Sequence, residues 1–153
     1  HYLINILTPN EEMNKYINFI SNKYNIPTNY NIFHFRLGGC EKLEKLKNCD
    51  SKIFKKAIKV YENNKNDNDV IISDTEIFKI KLTNYNENVK IINFVEIGHF
   101  GYSTSSISIK NTLFEFLLLL NSNNIKTYSK FNWISGFAKS AAILKKKKIE
   151  NIL

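Results

Sequence analysis

Residues 90–120 decide the fold of this chain, and they read KIINFVEIGHFGYSTSSISIKNTLFEFLLLL. The first part, Ile91–Ile97, is rich in β-branched and aromatic residues, which favour a strand that is covered on both faces. A small polar loop follows, and from about Lys110 to Leu120 the residues are apolar or strong helix formers. The stretch therefore predicts a buried strand, a short loop and the most apolar helix of the chain.

The loop between this strand and this helix carries the candidate site residues. Glu96 interrupts the apolar run, and a buried carboxylate is costly unless it is paired, protonated or open to a cleft. His99 lies between Gly98 and Gly101, and hydroxyl side chains follow. The N-terminus of a helix behind such a loop suits a phosphate or a carboxylate. The same residues also fit a structural carboxylate, a hydrogen-bonded histidine and a helix cap, so both interpretations stay open.

Composition narrows the class of protein. The chain has 153 residues, 43% of them hydrophobic, which is enough for one folded domain with a core. Its formal net charge of +8 permits attraction to nucleic acid, anionic lipid or a phosphorylated ligand. Arg36 is the only arginine, and this argues against sequence-specific recognition of nucleic acid. No apolar run is long enough to cross a bilayer, and we expect a cytoplasmic protein.

Metal binding is not predicted. The two cysteines, Cys40 and Cys49, form no CxxC motif, and no histidine cluster completes a zinc site with them. We expect both to be free thiols.

The beginning of the chain predicts a strand followed by a helix. Tyr2–Leu7 is rich in strand formers, and Thr8, Pro9 and Glu11 fit an N-cap, the first helical position and a capping box. One apolar face then recurs at helical spacing before Pro27. This face contains Met13, Tyr16, Ile17, Ile20 and Tyr24.

The remaining elements predict a sheet with helices packed on it. Three strands in succession, joined by short turns, favour an antiparallel meander. We therefore predict a single α+β domain over residues 1–153 with a mixed, mostly antiparallel sheet. The predicted strands are Tyr30–Leu37, Val70–Ser73, Glu76–Leu82, Lys90–Gly98 and Ile125–Ile134, and the further helical regions are Glu41–Tyr61, Lys110–Leu120 and Ala138–Ile149.

Asp74, Glu76 and Lys79 loosely follow a carboxylate–lysine pattern found in nucleases. Their spacing is poor and Lys79 is one of many lysines, so the pattern does not carry a nuclease prediction.

Four segments of the second half together resemble a known superfamily. They are the strand Phe94–Phe100 with its small-residue loop, the helix residues Leu113–Leu117, the strand around Trp133–Ser135 and the helix Ala138–Lys148. Over about residues 70–153 the chain resembles the GNAT acyltransferases, and most closely the branch that contains thermostable haemolysin-like proteins, autoinducer synthases and N-acyl amino acid synthases. It departs from them at Tyr102–Ser106, where the usual Arg/Gln-x-x-Gly-x-Gly/Ala loop is absent.

The resemblance implies an N-acyltransferase that moves an acyl group from coenzyme A or an acyl carrier protein to an amine. Glu96 would be the base and His99 the second candidate for that role. The donor would be bound without a metal ion. The residues implied in donor binding are Phe100, Gly101, Ser103, Thr104, Ser105 and Ser106.

Two other functions remain open from the sequence. A non-enzymatic module could bind nucleic acid or an acidic protein through lysine-rich faces. Its candidate residues are the lysines of Glu41–Tyr61 together with Lys145, Lys146, Lys147 and Lys148. A structural or assembly component could instead pair an exposed strand edge with a partner.

Overall fold

Helices and strands alternate along the part of the chain that the structure describes. A computed structural model describes residues 8–38, 51–93, 105–131 and 133–153. Within these ranges the elements are α1 Glu11–Lys23, β1 Asn31–Arg36, α2 Ser51–Asn64, β2 Asp69–Ser73, α3 Glu76–Tyr85, β3 Lys90–Ile91, α4 Ser106–Asn121, β4 Ile125–Ser129, α5 Gly136–Lys145 and β5 Ile149–Asn151.

The five strands form one parallel sheet in the order β3-β2-β1-β4-β5. The central strand is β1, where Phe33 pairs with Ile71 of β2 and with Lys126 of β4. Parallel strands need crossover connections, and here helices supply them. This order and connectivity define a doubly wound α/β sheet.

Each face of the sheet carries its own hydrophobic core, because side chains alternate along β1. Ile32 packs with α1, α4 and α5 on one face. Phe33 and Phe35 pack with α2 and α3 on the other face. The apolar face of α1, and the strand position of β1 with its alternating side chains, are as the sequence predicts. The molecule therefore has three layers, with the sheet in the middle.

The prediction of a mixed, mostly antiparallel, GNAT-like α+β sheet is wrong, because every strand pairing in the described sheet is parallel. The error lies at Glu76–Leu82, which was predicted as a strand and is the helix α3. Ile77, Phe78 and Leu82 are buried on one side of this helix, and the Phe78 ring lies 4.7 Å from that of Phe35. A helical crossover between β2 and β3 makes these strands parallel, whereas a turn would have made them antiparallel.

Smaller differences concern the ends of elements. Helix α1 starts two residues later than predicted, because the Asn10 side chain, not Thr8, accepts the hydrogen bond from Met13 N. Helix α5 ends at Lys145, since Lys146 adopts a left-handed conformation with φ of 50°. The residues that follow form the edge strand β5 and do not extend the helix. The predicted strand Tyr2–Leu7 and both cysteines lie outside the described residues.

Candidate functional site

The topology of the sheet places its switch point at the carboxyl ends of β1 and β4. The chain runs from β1 through β2 to β3 and then crosses back to β4 on the other side of β1. The helices after β1 and β4 pack on opposite faces of the sheet, so the two connections diverge. In open parallel sheets, ligands bind at this topological switch point. We call this place the switch-point crevice.

Asp74, which directly follows β2, fixes the start of the connection after β1. Its carboxylate accepts hydrogen bonds from Leu37 N at 2.9 Å and from Gly38 N at 3.0 Å. The Arg36 guanidinium donates to the same carboxylate and forms an ion pair with it. Thr75 Oγ1 donates to Asp74 Oδ1 at 3.1 Å. One carboxylate therefore joins the carboxyl ends of two neighbouring strands.

The connection after β4 brings a lysine and two aromatic rings to the switch-point crevice. Lys130 Nζ donates to Gly38 O at 2.9 Å and lies 4.8 Å from the centre of the Phe131 ring. Phe131 stacks on Trp133 with 4.7 Å between ring centres. Trp133 is 57% exposed. Because removing a large aromatic surface from water is favourable, this exposed ring suggests a surface that a ligand covers.

Gly38 allows the two connections to meet. Its φ is 51°, a region that residues with a Cβ atom rarely adopt, and a Cβ built there would lie 2.9 Å from the Phe131 ring. The close approach of the β1 and β4 connections therefore depends on the absence of a side chain at this position.

His34 lies on β1 below the crevice, buried under α5. Burial lowers its pKa to about 4, although Asp74 opposes the shift. The ring is therefore neutral near pH 7. Its Nδ1 lies 3.5 Å from Thr127 Oγ1, and its ring centre lies 6.3 Å from that of Phe137. This histidine fits a structural role in the core better than acid–base chemistry.

A second pair of charged side chains, Lys79 of α3 and Glu115 of α4, is buried near the same end of the sheet. The Nζ and Oε1 atoms are 3.9 Å apart. Burial raises the pKa of Glu115 to about 7, with Lys79 opposing the shift. Burial also lowers the pKa of Lys79. Groups with such shifts are common at functional sites, although structural networks also produce them.

The two predicted base candidates, Glu96 and His99, lie outside the described residues. So do four of the six predicted donor-binding residues, Phe100, Gly101, Ser103 and Thr104. Ser105 is the N-cap of α4, and its side chain accepts a hydrogen bond from Ser108 N at 3.0 Å. Ser106 is the first residue of that helix. The two described residues of the predicted set therefore lie at the N-terminus of α4.

The four lysines predicted to form one exposed face at the end of α5 have different environments in the structure. Lys145, Lys146 and Lys148 are exposed. Lys147 is half-buried, and its ammonium donates to Ser122 O at the C-terminal end of α4. Burial lowers its pKa. One of the four lysines therefore has a structural contact, and the anionic partner stays a prediction.

Sequence reasoning missed the residues that meet in the switch-point crevice. The sequence associates Asp74 only with a loose carboxylate–lysine pattern, and it assigns Trp133 to a predicted strand that in fact ends at Ser129. One signal could have found Trp133, because it is the only tryptophan and precedes the helix start at Ser135 and Gly136.

Other classes of site find no support in the residues that the structure describes. These residues contain no group of three or more His, Cys, Asp or Glu side chains that could hold a metal ion. Within the same ranges, none of the helices is long and apolar enough to cross a membrane. Comparison with family models, curated proteins and solved structures gives no match to this chain.

Proposed function

We propose that this protein binds a small anionic molecule with a planar ring, such as a nucleotide, in the switch-point crevice. The observation that carries the proposal is the position of Trp133, exposed and stacked on Phe131, beside Lys130 at the topological switch point.

The aromatic pair supports a ligand with a planar ring. Phe131 covers one face of Trp133, and the indole remains 57% exposed. Stacking of a base on an aromatic side chain contributes roughly 1–3 kcal/mol. Because Phe131 holds the indole in place, little conformational entropy would be lost when a ligand ring stacks on it.

The charges around the crevice support an anionic ligand. Arg36 and Lys130 are cations, and Asp74 is the carboxylate that pairs with Arg36. A group of one carboxylate and two cations leaves a net positive charge. Lys130 now donates to a backbone carbonyl, and a bound phosphate would offer it a stronger, charge-assisted hydrogen bond. The formal net charge of +8 acts in the same direction by attracting anions to the protein.

The predicted acyl donor belongs to this class of ligand, because coenzyme A contains an adenine nucleotide. Acyl transfer remains a prediction that depends on Glu96 and His99. Nucleotide binding in the crevice does not depend on those two residues, so the two proposals can be tested separately.

The fluorescence of the protein offers a direct test, since Trp133 is its only tryptophan. We would titrate the chain with ADP, with coenzyme A and with inorganic phosphate, at low and at moderate salt. We expect saturable quenching by ADP and coenzyme A that persists at moderate salt. Phosphate alone should bind more weakly, because it cannot stack.

Two pairs of variants make this test specific. Lys130→Gln should weaken ADP binding about tenfold, equivalent to about 1.4 kcal/mol, whereas Lys59→Gln, on the exposed face of α2, should not. In a thermal-shift assay Trp133→Ala should remove the stabilisation by ADP, and Ile143→Ala, which also removes an exposed apolar side chain, should retain it. No saturable quenching, or equal losses in the paired variants, would contradict the proposal.

A further inference from the structure

The buried pair Lys79 and Glu115 is an exception to the rule that buried polar groups in proteins are hydrogen-bonded. Their side chains are 1% and 6% exposed. The Nζ–Oε1 distance of 3.9 Å is too long for a hydrogen bond, and Glu115 Oε1 accepts none from the described residues. A buried ionised carboxylate without hydrogen bonds is costly. The arrangement therefore fits a protonated Glu115 better than an ionised one.

The pair connects two layers of the fold that otherwise lie on opposite faces of the sheet. Lys79 belongs to α3, whose apolar residues pack in one core. Glu115 belongs to α4, whose apolar residues pack in the other core. Any change in the attraction between the two side chains therefore acts between two separately packed helices.

Charged and titratable groups from each neighbouring element act on this pair. Asp74, after β2, raises the pKa of Glu115 and opposes the lowering at Lys79. Glu76 of α3 also opposes the lowering at Lys79. The hydroxyl of Tyr24, the residue that follows α1, interacts electrostatically with Glu115 and donates to Asn93 O at 3.0 Å. His34 and Arg36 of β1 interact with Asp74, so they act on the pair through it.

The protonation of the pair changes near neutral pH. Below about pH 7 Glu115 keeps its proton, and Lys79 faces a neutral partner. Above this pH Glu115 ionises and attracts the ammonium. Because folding raises the pKa of Glu115 above 4.5, its contribution to stability is present below pH 4.5 and is lost as the pH rises through 7. The lowered pKa of Lys79 acts in the opposite sense, because this group's contribution to stability rises as the pH rises towards 10.5.

We propose that Lys79 and Glu115 form a pH-sensitive latch between α3 and α4, open when Glu115 is protonated and closed when it ionises. Closing brings Nζ and Oε1 within hydrogen-bond distance and draws the two helices together. Asp74 lies two residues before α3 and holds the connection after β1, so the movement reaches the switch-point crevice. This last consequence, a pH-dependent affinity of the crevice, rests on the proposed function.

The titration of Glu115 can be measured directly by ¹³C NMR of the side-chain carboxyl groups in protein labelled at glutamate. We expect one resonance with a midpoint near pH 7, and its absence in Glu115→Gln assigns it. Lys79→Met should move the midpoint to higher pH, because the ammonium favours the ionised form. Lys110→Met is the matched control, since it breaks the exposed pair of α4 with Glu12 and should leave the midpoint unchanged.

Movement of the helices needs a second measurement. Methyl resonances of Ile77 on α3 and Leu118 on α4 should shift with the same midpoint in the unmodified protein and stay constant in Glu115→Gln. A Glu115 midpoint near 4.5, or methyl resonances that do not follow the Glu115 titration, would overturn the latch. Neither measurement uses a ligand, so its failure is distinct from a failure of nucleotide binding.

Discussion

Each end of the sheet has a pair of a lysine and a buried carboxylate, and the two pairs differ in whether the charged atoms are within hydrogen-bond distance. At the amino end, Lys126 Nζ lies 3.1 Å from Asp69 Oδ2, which also accepts from Asn66 N at 2.8 Å. The same ammonium donates to Asn64 O. At the carboxyl end, Lys79 and Glu115 are 3.9 Å apart.

This difference indicates that Lys126 and Asp69 form a structural pair, whereas the charge of the Lys79–Glu115 pair responds to pH. A buried ion pair gains more when its charged groups are in direct contact and accept or donate further hydrogen bonds. At the amino end, Asp69 Oδ2 accepts hydrogen bonds from Lys126 and Asn66 N and the ammonium also has a backbone acceptor, whereas Asp69 Oδ1 accepts none from the described residues. The carboxyl end leaves Glu115 poised to change its charge near neutral pH, and it also carries the exposed ring of Trp133. We infer that the amino end holds the fold together and that the carboxyl end performs its function.

The largest effect is expected from Lys126→Met. Asp69 has a side chain that is 1% exposed, and without its cation the fold should lose about 3 kcal/mol of unfolding free energy. Lys79→Met should cost clearly less at pH 6, because Glu115 is then protonated and needs no counterion. Urea unfolding of both variants at pH 6 measures the difference. Equal losses would remove the distinction between the two pairs.

The next effect is expected from Asp74→Ala, at the carboxyl end. It leaves the backbone N–H groups of Leu37 and Gly38 without their acceptor, at a cost of about 2 kcal/mol. The variant should also lose nucleotide binding, since the connection after β1 is no longer fixed. Asp67→Ala removes an exposed carboxylate at the amino end and serves as the control in urea unfolding. An unchanged stability of Asp74→Ala would show that this anchor is dispensable.

Alanine substitutions at two glycines test whether the crevice depends on the absence of a side chain at Gly38. Gly38→Ala should cost about 1–2 kcal/mol, because φ of 51° is strained for alanine. The added Cβ would also displace Phe131 and shift the emission of Trp133. Gly136→Ala, where a Cβ meets nothing within 4 Å, should be neutral or stabilise the helix by up to about 1 kcal/mol. Thermal unfolding and tryptophan emission of both variants measure this difference. Similar unfolding midpoints and emission spectra for Gly38→Ala and Gly136→Ala would contradict the prediction.

The smallest effect is expected at the C-terminal end of α4. Lys147 donates to Ser122 O, so Lys147→Met should cost about 1 kcal/mol. Lys148→Met removes an exposed lysine next to it and should stay within about 0.5 kcal/mol of the unmodified protein. Thermal unfolding measures both variants. Equal effects would show that the contact of Lys147 with Ser122 O does not stabilise the fold, as expected for an exposed lysine.

Local patterns in the sequence were sufficient to predict the helices and strands whose apolar residues recur with a clear period. Helix α4 was predicted by its apolar run, and the two faces of β1 by the alternation of Ile32, Phe33 and His34. The run around Phe78 failed because apolar residues and lysines alternate there as in a strand, whereas packing against Phe35 favours the helix. That single error reversed the direction of strand pairing.

The candidate site was harder to predict, since it is assembled from separate ends of strands. Asp74 follows β2, Gly38 follows β1 and Trp133 follows β4. Only the order of the strands brings these residues together, and no local pattern encodes that order. The sequence does contain the three parts of the site, a carboxylate after a buried strand, a glycine after another and a single tryptophan before a helix.

We expect ligand to bind at the carboxyl end of the sheet and not at the amino end. A ¹H–¹⁵N correlation spectrum recorded during titration with ADP tests it most directly. Saturable shifts should be concentrated at residues 36–38, 73–75 and 129–137. Shifts concentrated at residues 64–69 and 121–126, or no saturable shifts, would contradict it.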